Sequence, residues 1–330
     1  ESGTTDTFTV VLDAEPTSDV VLTIASDDTG EATVTNALTF TSANWDTPQT
    51  VTVTGADEYI IDGTITSTIT VAVDDANSDN NFDDLADQTV SATTTDDDVA
   101  GFTIVETDGS TEVDESGTTD TFTVVLDAQP ASDVVLTIAS DDTGEATVNS
   151  PLTFTSADWD TPQTVTVTGV DDDIIDGTIT STITVAVDDA NSDDNFDDLA
   201  DQTVSATTTD DDVPGFTIVE TDDTTEVAES GTTDTFTVVL DAEPASDVVL
   251  TITSDDTGEA TVNSPLTFTS ANWDTPQTVT VTGIDDGFVD GDIVSTITVA
   301  VDDANSDDDF DSVADQTVSA TTTDDDVAGF

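Results

Sequence analysis

The stretch ESGTTDTFTVVLDA begins at Glu1, at Glu115 and again at Glu229, a spacing of 114 residues with no insertion or deletion between copies. DQTVSATTTDDDV recurs three times at the same spacing. Solenoid repeats are about 20–50 residues long and cannot stand alone. A unit of this length is instead the size of an independent domain. The repeat therefore predicts a string of domains: residues 1–98, 99–212 and 213–326, with 327–330 opening a further unit.

Inside each copy the apolar period is two. Phe8, Val10 and Leu12 share a face, as do Val20, Leu22 and Ile24. Leu38 and Phe40, Val51 and Val53, then Ile65, Ile69, Val71 and Val73, and finally Val90 and Ala92 continue the pattern. The alternate positions are largely threonine, which suits a strand face that meets water. AEPTSD, DDTGEA and IIDGT punctuate the runs as turns. No stretch has the pattern of a long amphipathic helix. Six or seven half-buried strands per unit predict an all-β fold of tandem Ig-like antiparallel β-sandwich domains in a linear array. Trp45, Trp159 and Trp273, each in WDTPQT, are expected to plug a sandwich end. GFTIVE at 101–106 and 215–220 has the pattern of a first strand, for which copy one has no counterpart. Two readings stand: a segment cut from a longer array, or a strand donated by a neighbouring chain.

The chain holds 75 acidic residues and no lysine, arginine or histidine, for a formal charge of −75. Two carboxylates about 5 Å apart repel by roughly 0.8 kcal/mol in water, and by more where water is excluded. Only cations from solution can offset this. The same balance argues against nucleic acid or anionic membrane surfaces as partners, since both attract basic residues. No apolar run approaches the ~20 residues of a membrane span. Neither a signal peptide nor a methionine is present, so a mature fragment or a segment of something longer is expected. Composition removes Ser-His, Cys-His and lysine chemistry and leaves only carboxylate pairs for acid–base work. No enzymatic role is expected.

The acids gather in turns and at strand ends. In copy two they are Glu115, Asp141 and Asp142 with Glu145, Asp171, Asp172 and Asp173 with Asp176, and Asp210, Asp211 and Asp212. Loops at one end of a sandwich lie close together. Carboxylates converging there supply the six to eight oxygens that Ca²⁺ prefers, whereas Mg²⁺ demands stricter octahedral geometry. Zinc is disfavoured without His or Cys. A second acidic stretch, DDANSDNNFDD at 74–84 and DDANSDDNFDD at 188–198, shares a D-x-N-x-D core with the start of an EF-hand loop. It lacks the glycine at position six and has Ala86 or Ala200 at position twelve. An unrelated Ca²⁺ loop or a merely solvated one is expected there. For all the acids, a hydrated halophilic surface is the rival reading.

TEVDESGTTDTFTVVLDAQP, DDTGEATV, PLTFTSADWDTPQTVTVTGVDDDIIDG and the closing TTTDDD, in this order, resemble Calx-β-type repeats of very large bacterial surface proteins. The resemblance implies an Ig-like sandwich that binds structural Ca²⁺, several ions per repeat, at one end near the next domain. Matched by position, it assigns Glu115 (Glu1 and Glu229 in the other copies), Asp171, Asp172 and Asp176, and Asp210 to Asp212. The equivalents are Asp57, Glu58, Asp62, Asp96, Asp97 and Asp98 in copy one, and Asp285, Asp286, Asp290, Asp324, Asp325 and Asp326 in copy three. The turn pairs Asp27 and Asp28, Asp141 and Asp142, and Asp255 and Asp256 complete the candidate ligands. Where the family commonly carries glutamate, this chain has Asp62, Asp176 and Asp290, one methylene shorter. Together these point to an extracellular fibre or cell-surface adhesin region acting as a Ca²⁺-stabilised spacer, its partners neighbouring repeats or identical chains. A strand-exchanging filament subunit and a non-specific acidic cation- or mineral-binding matrix protein are the alternatives.

Overall fold

Threonine-and-valine alternation gives strands throughout the computed structural model, which describes residues 1–35 and 37–330. The first unit contains β1 (Thr5–Val10), β2 (Val20–Ser26), β3 (Ala32–Val34), β4 (Ala37–Phe40), β5 (Gln49–Gly55), β6 (Ile65–Val73) and β7 (Gln88–Thr94). In the second are β8 (Phe102–Glu106), β9 (Thr111–Asp114), β10 (Thr119–Leu126), β11 (Val134–Ser140), β12 (Ala146–Val148) and β13 (Leu152–Phe154). It closes with β14 (Gln163–Gly169), β15 (Ile179–Val187) and β16 (Gln202–Thr209). The third repeats that order as β17 to β25, from Phe216–Glu220 to Gln316–Thr323.

Each complete unit is two packed sheets. In the second they run β12-β14-β10-β8 and β13-β11-β15-β16-β9. Neighbouring strands are antiparallel except β9, which lies parallel to β16 with Thr111 opposite Ala206 and Asp114 opposite Thr209. Phe122, Val134, Leu136, Phe154, Val165 and Ile183 are fully buried between the sheets, and most strand threonines point out, Thr111 and Thr208 being buried exceptions. The three tryptophans are half-buried and pack against the cores at the sandwich ends.

Nine strands per complete unit exceed the six or seven expected from alternation. ATV and TEVD are three or four residues long, too short for a period to register. The chain turns through Asp108, at a φ of 58°, so that β8 and β9 join opposite sheets. This strap lies along both sheet edges and buries Phe102 and Val113. The first unit has no counterpart within the sequence. Its Phe8 is accordingly half-buried, where Phe122 and Phe236 are wholly covered.

Consecutive units touch through one loop. Residues 57–62 of the first unit reach the second, where the Gln129 N–H donates to the Tyr59 carbonyl at 2.6 Å. Asn195 Nδ2 donates to the Ile61 carbonyl at 3.0 Å, and Tyr59 stacks obliquely on Trp159 at 5.6 Å. The Ile61 side chain packs against the second core. At the next junction the Glu243 N–H donates to the Asp173 carbonyl at 2.6 Å, and Ile175 packs against the third core.

Candidate metal centre

At the end of each sandwich where β9, β14 and β16 finish, three loops and one strand end converge. Glu115 follows β9 directly, and its N–H donates to the Thr209 carbonyl at 3.1 Å. Gly169, the last residue of β14, makes this approach possible, because a Cβ there would overlap the Asp114 carbonyl. Gly283 stands in the same relation to Ala228 in the third unit. The Glu115 side chain thus turns inward and is only 1% exposed. Neither of its carboxylate oxygens has a hydrogen-bond partner.

Around it the loops are shaped by other aspartates. Asp210 accepts from the N–H groups of Asp176 at 3.1 Å and Gly177 at 2.8 Å through Oδ2. Its Oδ1 accepts from the Asp212 N–H at 2.7 Å. Asp172 holds the next turn through the Ile174 N–H at 2.7 Å. These bonds leave further oxygens aimed at the centre. Carboxylate oxygens of Glu115, Asp172 and Asp212 lie within 4.8 Å of one another, and so do those of Glu115, Glu145 and Asp176. Oxygens that share one Ca²⁺ at about 2.4 Å are separated by no more than about 4.8 Å. The same convergence joins Glu1, Glu31, Glu58 and Asp62, then Glu1, Asp96 and Asp98, and in the third unit Glu229, Asp290 and Asp324.

Without a cation this arrangement is unfavourable. Two charges about 4.8 Å apart at an effective dielectric of about 20 repel by roughly 3 kcal/mol. Burial, then Asp210 and Asp172, push the Glu115 carboxyl up to about 7. Burial and Asp210 raise Asp212 to about 6. Glu145 is raised too, by burial first and then by Asp176 and Asp172, and Asp176 by burial first and then by Asp172 and Asp210. Buried, unpartnered and mutually repelling carboxylates fit a hard dication that supplies both charge and coordination.

The remaining sequence-predicted acids take other places. Asp27, Asp141 and Asp255 each accept from a strand N–H across the sheet, that of Thr68, Thr182 and Thr296 at 2.7, 2.6 and 2.7 Å. Asp28, Asp142 and Asp256 close their own turns by accepting from Gly30, Gly144 and Gly258. Asp57, Asp97, Asp171, Asp211, Asp285 and Asp325 are exposed on the outer side of these loops. Asp286 shapes its loop by accepting from the Phe288 N–H at 2.7 Å. Asp324 does the same for Asp326 at 2.8 Å. Glu31, Glu145 and Glu259 were not assigned as ligands from the sequence, although Glu145 stood among the gathered acids. All three are 5–6% exposed, Glu31 and Glu145 join the clusters, and burial, then Asp290 and Asp286, raise the carboxyl of Glu259. The signal was the apolar ATV that follows each glutamate and pulls it inward.

The DDANSD stretch is a different kind of element. It lies at the opposite end of the sandwich, in the β6–β7 and β15–β16 connections. Asp79 accepts from Thr17 N–H and Oγ1 at 2.6 and 2.7 Å and from Asn81 N–H at 3.0 Å. Those bonds hold its carboxyl well below the usual range. Asp193 likewise accepts from Ser132 and Asn195 N–H groups at 2.9 and 3.0 Å. The central aspartate therefore pins two loops together in place of heading an EF-hand.

No family model matches the sequence, and no curated protein matches it. Among solved structures, the calcium-binding domain pair CBD12 of CALX1.1 is 12% identical over 60% of this chain and 80% of its own, with a TM-score of 0.28. Domains 4–9 of the surface layer protein SbsC are 19% identical over 96% of this chain and 40% of their own, with a TM-score of 0.29. Domains 4 and 5 of the same S-layer protein are 21% identical over 57% of this chain and 76% of their own, with a TM-score of 0.27.

Proposed function

We propose that the chain is a Ca²⁺-stabilised spacer: a repeat region of an extracellular fibre or bacterial surface adhesin whose domains are stiffened by structural ions. One observation carries the reading. Glu115, with its equivalents Glu1 and Glu229, is buried with both carboxylate oxygens unpartnered, inside a ring of further acids and in a chain without basic side chains. Ca²⁺ would be held by Glu115, Glu145, Asp172, Asp176 and Asp212 in the second unit, and by the corresponding residues in the others. The loop that would hold it also docks on the next unit, so an ion fixing that loop would limit bending at the joint. Extracellular sites commonly have Kd near 10⁻⁴–10⁻³ M, which suits the millimolar calcium outside cells. Among the described residues no helix is long and apolar enough to cross a membrane.

Thermal unfolding at fixed ionic strength, titrating Ca²⁺ against Mg²⁺ after chelation, tests this. Ca²⁺ at about 100-fold over Kd stabilises by roughly 2.7 kcal/mol per site. The expected result is a large Tm increase that saturates with Ca²⁺ and not with Mg²⁺. Equal stabilisation by any salt at matched ionic strength would mark the acids as a halophilic surface.

A further inference from the structure

We propose that the joint between the second and third units is a salt-gated hinge, whereas the joint between the first and second is clamped. Both joints lie inside the chain and share one backbone template. The first isoleucine of the acidic loop, Ile60 or Ile174, makes a parallel bridge to Gln129 or Glu243. The amide of that residue donates to the Tyr59 or Asp173 carbonyl at 2.6 Å. The second isoleucine, Ile61 or Ile175, packs against the next core.

The side chains set on this template differ. At the first joint Tyr59 meets Trp159 with ring centroids 5.6 Å apart. Asn195 Nδ2 donates to the Ile61 carbonyl at 3.0 Å, and Gln129 Nε2 donates to the Ser156 carbonyl at 2.8 Å. The residues 114 positions further on are all acids: Asp173 for Tyr59, Glu243 for Gln129 and Asp309 for Asn195. Asp173 brings no ring to Trp273. An ionised carboxylate has no N–H, so Asp309 cannot donate to the Ile175 carbonyl, nor Glu243 to that of Ser270. Each exchange removes a clamp and adds a negative charge.

Asp173 and Asp309 are exposed and Glu243 is half-buried, so dissolved ions reach them. Asp173 and Glu243 carry their charges on residues that a backbone hydrogen bond holds together, in a chain with no basic side chain to pair them. Motion between domains is the default where an interface is neither large nor hydrophobic. Repulsion between exposed charges extends about 10 Å at 0.1 M salt and about 3 Å at 1 M. Low salt therefore works against the few contacts left at the second joint, and high salt lets it close. The first joint carries none of these three charges and keeps its clamps.

The chain holds no cysteine, so introduced ones label uniquely. Thr89→Cys with Thr203→Cys spans the first joint, and Thr203→Cys with Thr317→Cys spans the second from equivalent exposed positions. Pulsed electron–electron double resonance on the spin-labelled full chain reads the distance distribution across each joint, in chelator, from about 0.05 to about 1 M NaCl. The second joint should give a broad distribution at low salt that narrows roughly twofold at high salt, and the first a narrow one throughout. Asp173→Asn, Glu243→Gln and Asp309→Asn together should abolish the salt response of the second joint. Tyr59→Asp, Gln129→Glu and Asn195→Asp together should give one to the first. Asp158, Asp198 and Ala100 are exchanged for Asn272, Ser312 and Pro214, so the substitutions alter the three contact positions alone. The neutralising set removes charge only and keeps the test decisive should the acidic set unfold. Equal widths at the two joints at every salt concentration, or a salt response that survives neutralisation, would overturn the proposal. The hinge does not rest on the calcium reading. Joints that narrow alike in saturating Ca²⁺ and do not differ in NaCl would sink the hinge and keep the ion sites. A salt response confined to the second joint, with no effect of calcium, would do the reverse.

Discussion

Glu115 shows how one residue links backbone geometry to ion chemistry. A glycine at 169 lets the strand end approach, and the approach buries a carboxylate that nothing in the chain can pair. Replacing Glu115 with Gln removes that charge and lets the amide donate to the acids around it. In chelator at pH 8 the variant should therefore be more stable than the parent by about 1–3 kcal/mol, the cost of an unsatisfied buried polar group. In Ca²⁺ the order should reverse, because the second unit loses its main ligand. Paired melting curves with and without calcium check both signs, and a loss of stability in chelator as well would make Glu115 merely structural. Glu115 was legible in the sequence because it opens each repeat at a fixed strand boundary. Glu145 was legible only as one of the gathered acids, since it follows a conspicuous aspartate pair whose side chains are spent on the Thr182 and Gly144 N–H groups.

Among the elements, the acidic loops separate into two kinds that composition alone does not distinguish. The loop at 171–176 and the strand end at 210–212 surround the buried, unpartnered Glu115, whereas the loop at 188–198 spends its central acid, Asp193, on backbone N–H groups and leaves Asp197 Oδ1 buried without a partner. Asp193→Ala deprives two loop amides of their acceptor, which should cost about 1–3 kcal/mol. The loss should be visible as an earlier transition of the second unit in urea, with calcium stoichiometry by titration calorimetry unchanged. A lost calcium equivalent would instead return this loop to the ligand set. The parallel β9 strap also belongs to this scale. Four residues that alternate correctly do not reveal whether they join the sheet of β8 or the opposite one.

For the whole molecule, the proposed calcium sites put protons and calcium on the same groups. Glu115 and Asp212 have folded-state carboxyls raised to about 7 and about 6, above their unfolded values near 4. The folded state then binds protons more readily, and stability falls as pH rises between the unfolded and folded pKa. Calcium-free protein should therefore melt progressively lower as pH climbs from about 4 to 7, and level off above that. Because protons and calcium compete for these oxygens, the Tm gain from a fixed subsaturating calcium concentration should shrink as pH falls from 7 to 5. Differential scanning calorimetry across that range reads both, and a calcium gain independent of pH would place the ion elsewhere.

The sequence by itself determined the repeat, the two-residue apolar period and the absence of any cationic side chain, and hence a chain of acidic β-sandwiches needing outside cations. These are local or compositional properties, readable residue by residue. Which acids meet was decided by tertiary structure. Glu115, Glu145, Asp176 and Asp212 stand as much as 97 residues apart in the sequence and converge only because two sheets pack with their loops at one pole. The junction was settled the same way. Whether an isoleucine in an acidic loop is covered depends on what the next unit places above it, and no period in the sequence encodes that.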